Sequence, residues 1–312
     1  MNVQAGGNYA AIDIGSNAVR LLIKHLDEDD GKEVKFSKVL MLRVPLRLGF
    51  DVFGMGKISE KKEKNMIRLM KAYHYLMKIY DVEDYRACAT SAMRDAKNGK
   101  MIIKRIEKET GIRIEIIDGQ EEAKMVYNNH IEYLEDRNGN YMYVDVGGGS
   151  TEVNLLSQGK LVSSCSYNIG TVRILNNAVD ESEWERLKKD MAEVAKGYPG
   201  TNIIGSGGNI NKLYRLAEKK DKKAQSMAVE TLRELHEGLK VLSVEERMEK
   251  YSLKPDRADV IVPAGTIFLT IADIIGAQLI YVPVIGLSDG IIDGLYEEDK
   301  NKMPGMLANL PL

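Results

Sequence analysis

The chain has 312 residues, of which 44% are hydrophobic and 29% are charged, and its formal net charge at pH 7 is −2. This composition is typical of a globular chain long enough for two domains, and it excludes a disordered one. A charge so close to balance excludes a general attraction to nucleic acid or to an anionic membrane, so an anionic ligand requires a local site.

The first half of the sequence predicts a β-meander followed by alternating helices and strands. Apolar and polar residues alternate over short runs bounded by turn-forming residues, as in half-buried strands. Strands are predicted at residues 8–26, with a polar turn at 15–17, and at residues 33–44, 85–90 and 112–118. Helical spacing of apolar residues predicts helices over 59–80, over 98–110 and from residue 119 or 120 onward. Ser59 and Gly111 suit a helix N-cap and a helix end.

The second half repeats this order. Residues 140–167 predict three strands, joined by a glycine turn and by a hairpin at Gln158-Gly159. Further strands are predicted over 201–208 and 277–283. Helices are predicted over 182–196, 208–218, 226–241, 257–275 and from residue 288 onward.

Both halves begin with a strand, an Asp-x-Gly turn and a second strand, written IDIGSN first and VDVGGGST later. A duplicated unit of this kind predicts two similar α/β domains that face each other across a cleft, with each turn at the cleft. We expect the first domain to cover residues 1–128 and the second to cover 129–312. The last helix, from about residue 288, is expected to pack back on the first domain.

The second Asp-x-Gly turn contains three consecutive glycines, at residues 147–149. They cost conformational entropy and add no packing, so we expect something to approach their backbone closely. Such a backbone can point N–H groups at a phosphate, and the hydroxyls of Ser150 and Thr151 add donors. Asp145 and Glu152 would repel phosphate, but they fit as ligands of a Mg²⁺ ion placed between them and the phosphate. A tight hairpin with solvent-facing polar residues is the alternative.

Three other turns rich in glycine or hydroxyl groups follow predicted strands. Residues 13–17 are the counterpart of the glycine turn, and residues 205–209 precede a helix whose N-terminus favours anions. After the strand at 85–90, Arg94 supplies a guanidinium that suits phosphate oxygens, although a surface arginine near a helix start is common. The candidate phosphate-binding residues are Asp13, Gly15, Ser16, Asn17, Ser91, Gly147, Gly148, Gly149, Ser150, Thr151, Gly207, Gly208 and Asn209.

Glu121 and Glu122 begin the helix after Gly119. Either carboxylate is a candidate to orient or deprotonate a water molecule that attacks a phosphate. Solvated acids near the positive end of a helix dipole are the alternative. The four histidines are scattered among helical and charged stretches, and no serine–histidine nucleophile pair is evident. Direct attack by water is therefore favoured over a covalent intermediate.

Taken together, these motifs resemble the exopolyphosphatase/guanosine pentaphosphate phosphohydrolase family. The resemblance runs through nearly the whole chain in the family's order, as AAIDIGSNAVRLLI, RLG at 47–49, ATSAMRDAKN, TGIRIEIIDGQEEA, VDVGGGSTEV, NIGTVRI, IIGSGGN, DRADVIVPAGTIFL and GLSDGIIDGLY. It implies an actin-like (ribonuclease H-like) fold with two domains, and hydrolysis of terminal phosphoanhydride bonds with Mg²⁺.

The resemblance also implies roles for single residues. It makes Glu122 the catalytic glutamate, with Glu121 as the less favoured candidate, and Arg94 a third catalytic residue. Asp145 and Glu152 are the implied metal ligands. The chain departs from the family pattern at two positions: Asn209 stands where threonine is common, and Asp118 stands where serine is common. The C-terminal helical domains of longer members are not in this sequence.

We therefore expect hydrolysis of the terminal phosphate of polyphosphate or guanosine pentaphosphate by water. Two alternatives remain open, a non-catalytic sensor that binds these compounds and an actin-like ATPase or kinase. We expect no nucleic-acid or membrane partner, and a homodimer is considered because residues 297–312 offer a segment that can pack on a neighbour.

The N-terminal stretch lacks the basic start and long apolar run of a signal peptide. The longest apolar run, near the C-terminus, is interrupted by Asp273, Gln278 and Pro283, which argues against a membrane span. Cys88 and Cys165 fit no metal-ligand spacing and predict reduced, partly buried thiols. A cytoplasmic location is therefore expected.

Overall fold

The computed structural model describes residues 6–29, 34–127, 138–283 and 286–302. The first sheet has the strand order β3-β2-β1-β4-β5. Its strands are β1 (Asn8–Ile14), β2 (Val19–Asp29), β3 (Val34–Val44), β4 (Val82–Ala89) and β5 (Glu115–Ile116). Its helices are α1 (Leu48–Met55), α2 (Glu60–Ile79), α3 (Ser91–Asp95), α4 (Gly99–Thr110) and α5 (Gly119–Tyr127).

The second sheet has the order β10-β11-β9-β6-β7-β8. Its strands are β6 (Asn140–Val146), β7 (Thr151–Ser157), β8 (Lys160–Tyr167), β9 (Asn202–Ser206), β10 (Ser226–Ala228) and β11 (Leu279–Tyr281). The helices of this half are α6 (Thr171–Leu175), α7 (Glu181–Gly197), α8 (Gly208–Leu216), α9 (Val229–Lys240), α10 (Val244–Tyr251), α11 (Pro255–Ala258), α12 (Ile261–Ile275) and α13 (Leu287–Lys302).

The two sheets are copies of one topology. In each, the first two strands pair antiparallel (β1 with β2, β6 with β7), and the first strand also pairs parallel with a later one (β4 or β9). A further parallel strand follows, β5 or β11, and β10 is an addition to the second sheet. The predicted fold class, two duplicated actin-like α/β domains facing an interdomain cleft, is therefore confirmed.

Several local predictions need correction. The strand predicted over 112–118 is reduced to β5, and β10 lies where the start of a helix was predicted. Ser59 occupies the N-cap position of α2, but its side chain makes no capping hydrogen bond. Gly111 ends α4 with a φ of 74°, the left-handed conformation that glycine adopts without steric cost. The helices α1, α3, α6 and α10 were not predicted.

Helix α13 returns from the second half of the chain and packs against β1, β2 and β4 of the first sheet. Its buried Leu287, Ile291 and Leu295 share one apolar cluster with Leu22 of the first sheet and Tyr143 of the second. This helix therefore lies between the two sheets and ties them together. The predicted domain boundary at 128/129 lies outside the described residues.

The segment Pro255–Ile275 is long and apolar enough to cross a membrane by length and composition alone, and 67% of its apolar window is buried inside the protein. Within it, α12 contributes Ile261, Ile267 and Phe268 to the largest apolar cluster of the second half. Such burial is typical of the core helix of a globular domain.

The Asp-x-Gly turns of the two halves touch each other directly. A Cβ atom added to Gly148 would lie 2.9 Å from Ser16 Cβ and 3.1 Å from the backbone nitrogen of Asn17. One added to Gly149 would lie 2.6 Å from Phe53 Cζ and 2.8 Å from Ser16 Oγ. These contacts are too close for a side chain. The partner that approaches these glycines is therefore the turn of the other domain, and this explains their lack of side chains.

Three arginines reinforce this contact across the domains. Arg43 and Arg47, which follow one another at the end of β3 and before α1, pair with Asp256 and Asp259. Arg173 on α6 donates to Asp95 on α3 at 2.6 Å, and its Nε donates to the carbonyl of Gly149 at 2.8 Å. Charged pairs on two sides of the turns therefore hold the cleft in one arrangement.

Gly148→Ala is expected to force the two turns apart, since the added methyl group meets Ser16 and Asn17. We expect a loss of roughly 1–3 kcal/mol in the free energy of unfolding, the usual cost of overpacking. Thermal unfolding and small-angle scattering measure the stability and the domain separation. Gly197→Ala is the control, because a Cβ atom there meets nothing within 4 Å. Equal unfolding midpoints and equal radii of gyration for the two variants would contradict the assignment.

Candidate active site

A cavity of about 300 Å³ lies between the domains, where the Asp-x-Gly turns after β1 and β6 face each other. Both turns contribute to its lining, together with the turn after β9 and the start of α13. The candidate residues found in the lining are Asp13, Gly15, Ser16, Asn17, Ser91, Glu122, Asp145, Gly147, Gly148, Ser150, Glu152, Gly207, Gly208 and Asn209. The fold thus brings most of the predicted site residues to one place.

Strand register concentrates acidic side chains at one end of this cavity. Asp145 on β6 lies directly opposite Glu152 on β7. Asp13 on β1 and Glu122 on α5 join them from the other domain, and Asp13 and Glu152 are only 2% and 1% exposed. Like charges in a directly opposed pair repel each other, so this arrangement destabilises the sheet unless something neutralises it.

Only one of the four acids has a cationic partner among the ion pairs of the described residues. Asp13 accepts a hydrogen bond from Arg20 at 2.5 Å, and strand register places these two residues opposite each other on β1 and β2. Asp145 accepts from Ser206 Oγ at 3.1 Å, and Glu152 accepts from Ser166 Oγ at 3.0 Å. Neutral hydroxyl donors therefore take the place of positive charge at these carboxylates.

Burial and mutual repulsion raise the pKa values of the three acids without a cationic partner. Burial raises the pKa of Asp145 to about 6, against the opposing effect of the Arg20 charge. Burial and the Asp145 charge raise the pKa of Glu152. Burial, with the charges of Glu152 and Asp145, raises the pKa of Glu122 well above its usual range. The Oε2 atom of Glu122 is buried and has no hydrogen-bond partner in the described part of the chain.

These carboxylates offer a partial coordination set for a divalent cation. Within the described residues no group of three or more His, Cys, Asp or Glu side chains is arranged to hold a metal ion. Mg²⁺ does not require such a group, since it commonly takes one or two carboxylates and completes its shell with water and phosphate oxygens. The buried, repelling Asp145 and Glu152 therefore fit this ion, and Mg²⁺ would relieve their repulsion.

Some predicted phosphate contacts have structural duties instead. Ser16 Oγ lies 2.9 Å from Ser91 Oγ and accepts a hydrogen bond from the backbone N–H of Ala92. Thr151 is fully buried, donates to the carbonyl of Ile169 at 2.6 Å and does not line the cavity. Gly149 is likewise outside the lining, because it packs against the other domain.

Glu121 and Arg94 do not line the cavity either. Glu121 points away and pairs with Arg86 at 2.9 Å, with 44% of its side chain exposed. Arg94 Nη1 donates to the carbonyl of Ile117 at 2.7 Å, and its charge lowers the pKa values of Glu122 and Glu152. Arg94 therefore lies behind these carboxylates and favours their ionised forms, instead of facing a phosphate in the cavity.

The two departures from the family pattern have clear structural roles. Asp118 Oδ1 accepts from the backbone N–H groups of Gln120 and Glu121, so it caps α5 and lies outside the cavity. Asn209 Oδ1 accepts a hydrogen bond from Arg257 Nη1 at 2.7 Å. Asn209 therefore orients an arginine at the cavity wall.

Sequence reasoning missed the cationic side of the cavity. Arg20, Lys38, Arg43, Arg215 and Arg257 all contribute to the lining. Burial, together with the charges of Arg43 and Arg20, lowers the pKa of Arg257 to about 9. Arg20 and Arg43 already pair with Asp13 and Asp256, and the remaining positive charge favours binding of an anion. Only Arg20 had a usable signal, because the hairpin register places it opposite Asp13.

Comparison with known proteins adds three similarities. Residues 27–299 match the model of the Ppx/GppA phosphatase family. A bifunctional 3-dehydroquinate synthase/phosphatase of Fusobacterium nucleatum is 29% identical over 94% of this chain and 47% of its own length. A guanosine-5′-triphosphate,3′-diphosphate pyrophosphatase of Aeromonas hydrophila is 26% identical over 92% of this chain and 59% of its own length.

Among solved structures, the Aquifex aeolicus member of the Ppx/GppA protein family is similar, with a TM-score of 0.73 and 28% identity. That similarity covers 94% of this chain and 99% of the other. The chain thus spans about half of the two curated relatives, at 47% and 59% of their lengths, but nearly all of the solved chain.

Glu152→Gln is expected to stabilise the metal-free protein at pH 8 and to leave its stability unchanged near pH 4. The native carboxyl, with its raised pKa, binds a proton more tightly than the unfolded one, so its destabilising effect grows as pH rises from the unfolded pKa through the folded pKa. The gain at pH 8 should be roughly 1–3 kcal/mol, since one pKa unit corresponds to about 1.4 kcal/mol.

Chemical unfolding in the presence of a chelator at the two pH values measures this difference. Glu121→Gln is the matched control, because Glu121 is partly exposed and pairs with Arg86. A Glu152→Gln variant that is less stable than the parent at pH 8 would show that the buried charge is already compensated.

Proposed function

The chain belongs to the Ppx/GppA phosphatase family, because residues 27–299 match the model of that family. On this basis we propose the reaction that it catalyses. The reaction is hydrolysis of the terminal phosphoanhydride bond of inorganic polyphosphate or of guanosine pentaphosphate by direct attack of water. The observation that carries the proposal is Glu122, a buried carboxyl at the cavity with one oxygen lacking any partner in the described structure.

Glu122 has the properties of a general base. Its raised pKa makes the ionised form a stronger base than an exposed glutamate, and its Oε2 atom is buried without a hydrogen-bond partner in the described structure. The Arg94 charge opposes the shift and keeps a larger fraction of the carboxyl ionised. Glu122 is therefore assigned to orient the attacking water and to accept its proton.

The cavity lining carries both kinds of charge that a phosphoanhydride substrate needs. The acids come from β1, β6, β7 and α5, and the cations Lys38, Arg215 and Arg257 line the same cavity. Two further arginines of the lining, Arg20 and Arg43, already pair with Asp13 and Asp256. A chain of several phosphates carries enough negative charge to neutralise three such cations, and a single orthophosphate does not. This distribution supports a substrate with at least two linked phosphates.

Mg²⁺ belongs to the proposal as the cofactor, held by Asp145 and Glu152. When bound, it would neutralise negative charge that develops on the phosphate oxygens. The chain itself contributes the backbone of the turns at 15–17 and 147–150, which positions the terminal phosphate. Closure of the two domains around the substrate would limit access of bulk water.

The two alternatives receive no support from a particular contact. The sensor hypothesis was motivated by Asp118, by Asn209 and by the C-terminal helical domains of longer family members. Of the two residues, Asp118 caps α5 outside the cavity and Asn209 orients Arg257. The kinase or ATPase hypothesis requires a separate adenosine pocket beside the phosphate turns. Hydrolysis therefore accounts for the cavity and its charged lining without requiring an adenosine pocket.

A phosphate-release panel tests the function directly. It compares polyphosphates of several lengths, guanosine pentaphosphate and ATP, each with Mg²⁺ and with a chelator. We expect Mg²⁺-dependent release from polyphosphate or guanosine pentaphosphate that exceeds release from ATP at least tenfold. Saturable binding of guanosine pentaphosphate without release would establish the sensor, and preferential use of ATP would establish the ATPase or kinase.

Glu122→Gln is expected to reduce the rate of phosphate release by a factor of roughly 10²–10⁴, the usual contribution of general acid–base catalysis. The unfolding midpoint should not fall, because glutamine has the same shape and removes a buried carboxyl whose ionisation is unfavourable. Glu121→Gln, one residue earlier on the same helix, provides the control and should retain nearly full activity. Comparable activity of the two variants would remove Glu122 from the mechanism.

A further inference from the structure

Two cations in the lining of the cavity between the domains have no protein partner. Lys38 lies on β3 of the first domain, and Arg215 lies on α8 of the second. Both residues are exposed, and within the described parts of the chain neither forms an ion pair or a side-chain hydrogen bond. The proposed reaction places the terminal phosphate at the backbone of the turns, so these two cations are available to another part of the substrate.

Lys38 lies at the outer end of a row of cations on β2 and β3. At the inner end of the row Arg20 is opposite Arg43, and Arg20 binds Asp13 beside the first Asp-x-Gly turn. Lys38 is opposite Lys24, which lies four residues beyond Arg20 on β2, or roughly 13 Å at the rise of a strand. Lys24, Arg20 and Arg43 each pair with a carboxylate. Among the described residues of this row, Lys38 alone therefore keeps an uncompensated charge.

Arg215 has the equivalent position on the second domain. Helix α8 begins at the turn after β9, where a Cβ atom on Gly207 would lie 2.7 Å from Asp145 Oδ1. Gly208, Asn211 and Arg215 line the cavity from this helix, and their spacing of three and four residues places them on one face. Arg215 comes seven residues after Gly208, which is roughly 10 Å along a helix. This face therefore leads from the acidic end of the cavity to an exposed cation.

The cations of the two domains lie close enough to repel one another. Burial lowers the pKa of Arg257, and the charges of Arg43, Arg20 and Arg215 lower it further. Arg43 and Arg20 belong to the first domain, while Arg215 and Arg257 belong to the second. A polyanion that extends outward between β3 and α8 would relieve this repulsion.

The chemistry of the lining favours inorganic polyphosphate as this polyanion. A linear polyphosphate carries negative charge on every unit, so one chain can reach from the turns to the outer cations. In guanosine pentaphosphate the chain ends at a ribose, and a base follows. Bases are commonly held by stacking on aromatic rings, but no aromatic side chain lines the cavity in the described part of the protein.

We propose that Lys38 and Arg215 form an outer phosphate subsite, which binds a unit of inorganic polyphosphate several units away from the bond that is cleaved. The inference rests on the proposed hydrolysis and deepens it, since it names one substrate class and two residues that select it. One cation comes from each domain, so a phosphate held between them also bridges the domains at the outer end of the cavity.

Initial rates of phosphate release from long-chain polyphosphate and from tripolyphosphate, at one ionic strength, test the subsite. Lys38→Gln and Arg215→Gln are each expected to raise KM for long chains at least fivefold with kcat nearly unchanged. Binding far from the reacting bond is equal in the ground state and the transition state, so its loss appears in KM. Tripolyphosphate is too short to reach the subsite, and its KM should change less than twofold.

Two lysines close to the subsite residues provide matched controls. Lys35→Gln removes a charge from the same strand as Lys38, and Lys212→Gln removes one from the same helix as Arg215. Neither Lys35 nor Lys212 lines the cavity. These variants measure how much the loss of any nearby positive charge weakens binding of a polyanion.

An unchanged KM for long chains in either subsite variant overturns the proposal. An equal rise in KM for tripolyphosphate, or an equal rise in the control variants, does the same, because the effect then comes from the general field. If KM for guanosine pentaphosphate rises as much as KM for long chains, the assignment to inorganic polyphosphate is wrong.

Failure of the proposed function is recognised separately, as the absence of phosphate release from every substrate by the parent protein. Titration calorimetry with long-chain polyphosphate then tests the subsite without turnover. At least fivefold weaker binding by both subsite variants, with the control variants unchanged, supports the subsite, and any other result overturns it.

Discussion

The direct contact between two turns, one from each domain, determines most of this structure. The backbone at Gly148 and Gly149 lies against Ser16 and Asn17 with no room for a Cβ atom between them. Because each turn follows the first strand of its sheet, this contact fixes the ends of both strands close together. The cavity between the domains lies beside this contact, and its lining comes largely from the residues at the neighbouring strand ends.

Charge in the cavity follows from the same constraint. Strand register places Asp145 opposite Glu152, and the contact between the turns brings Asp13 and Glu122 to them from the other domain. Bringing buried acids together costs free energy, and the raised pKa values of three of them are a consequence of this cost. A site that is destabilised when empty is stabilised by any ligand that offsets this charge, so folding stability and ligand binding are coupled.

The positions of most strands and of the principal turns could be predicted from the sequence because those signals are local. Alternating apolar residues and an Asp-x-Gly pattern occupy fewer than ten consecutive positions, and their repetition revealed the duplication. Helices such as α3 and α6, each of five residues, are too short to show a helical repeat of apolar residues in the sequence. The cationic wall was missed because it depends on tertiary placement: Arg43, for example, reaches Asp256 across 213 positions in the chain.

The glycines also show that a glycine-rich turn can have two different structural causes. Close approach of a phosphate was expected at residues 147–149, yet the group that excludes a side chain at Gly148 and Gly149 is the opposing turn. Gly147 lines the cavity without touching the other domain, since a Cβ atom there would meet only Ser150, at 3.1 Å from its carbonyl oxygen. Gly148 lines the cavity and also touches the other domain, whereas Gly149 only touches the other domain. Both duties need the same residue type, so a sequence pattern alone cannot separate them, and only the assembled pair of domains does.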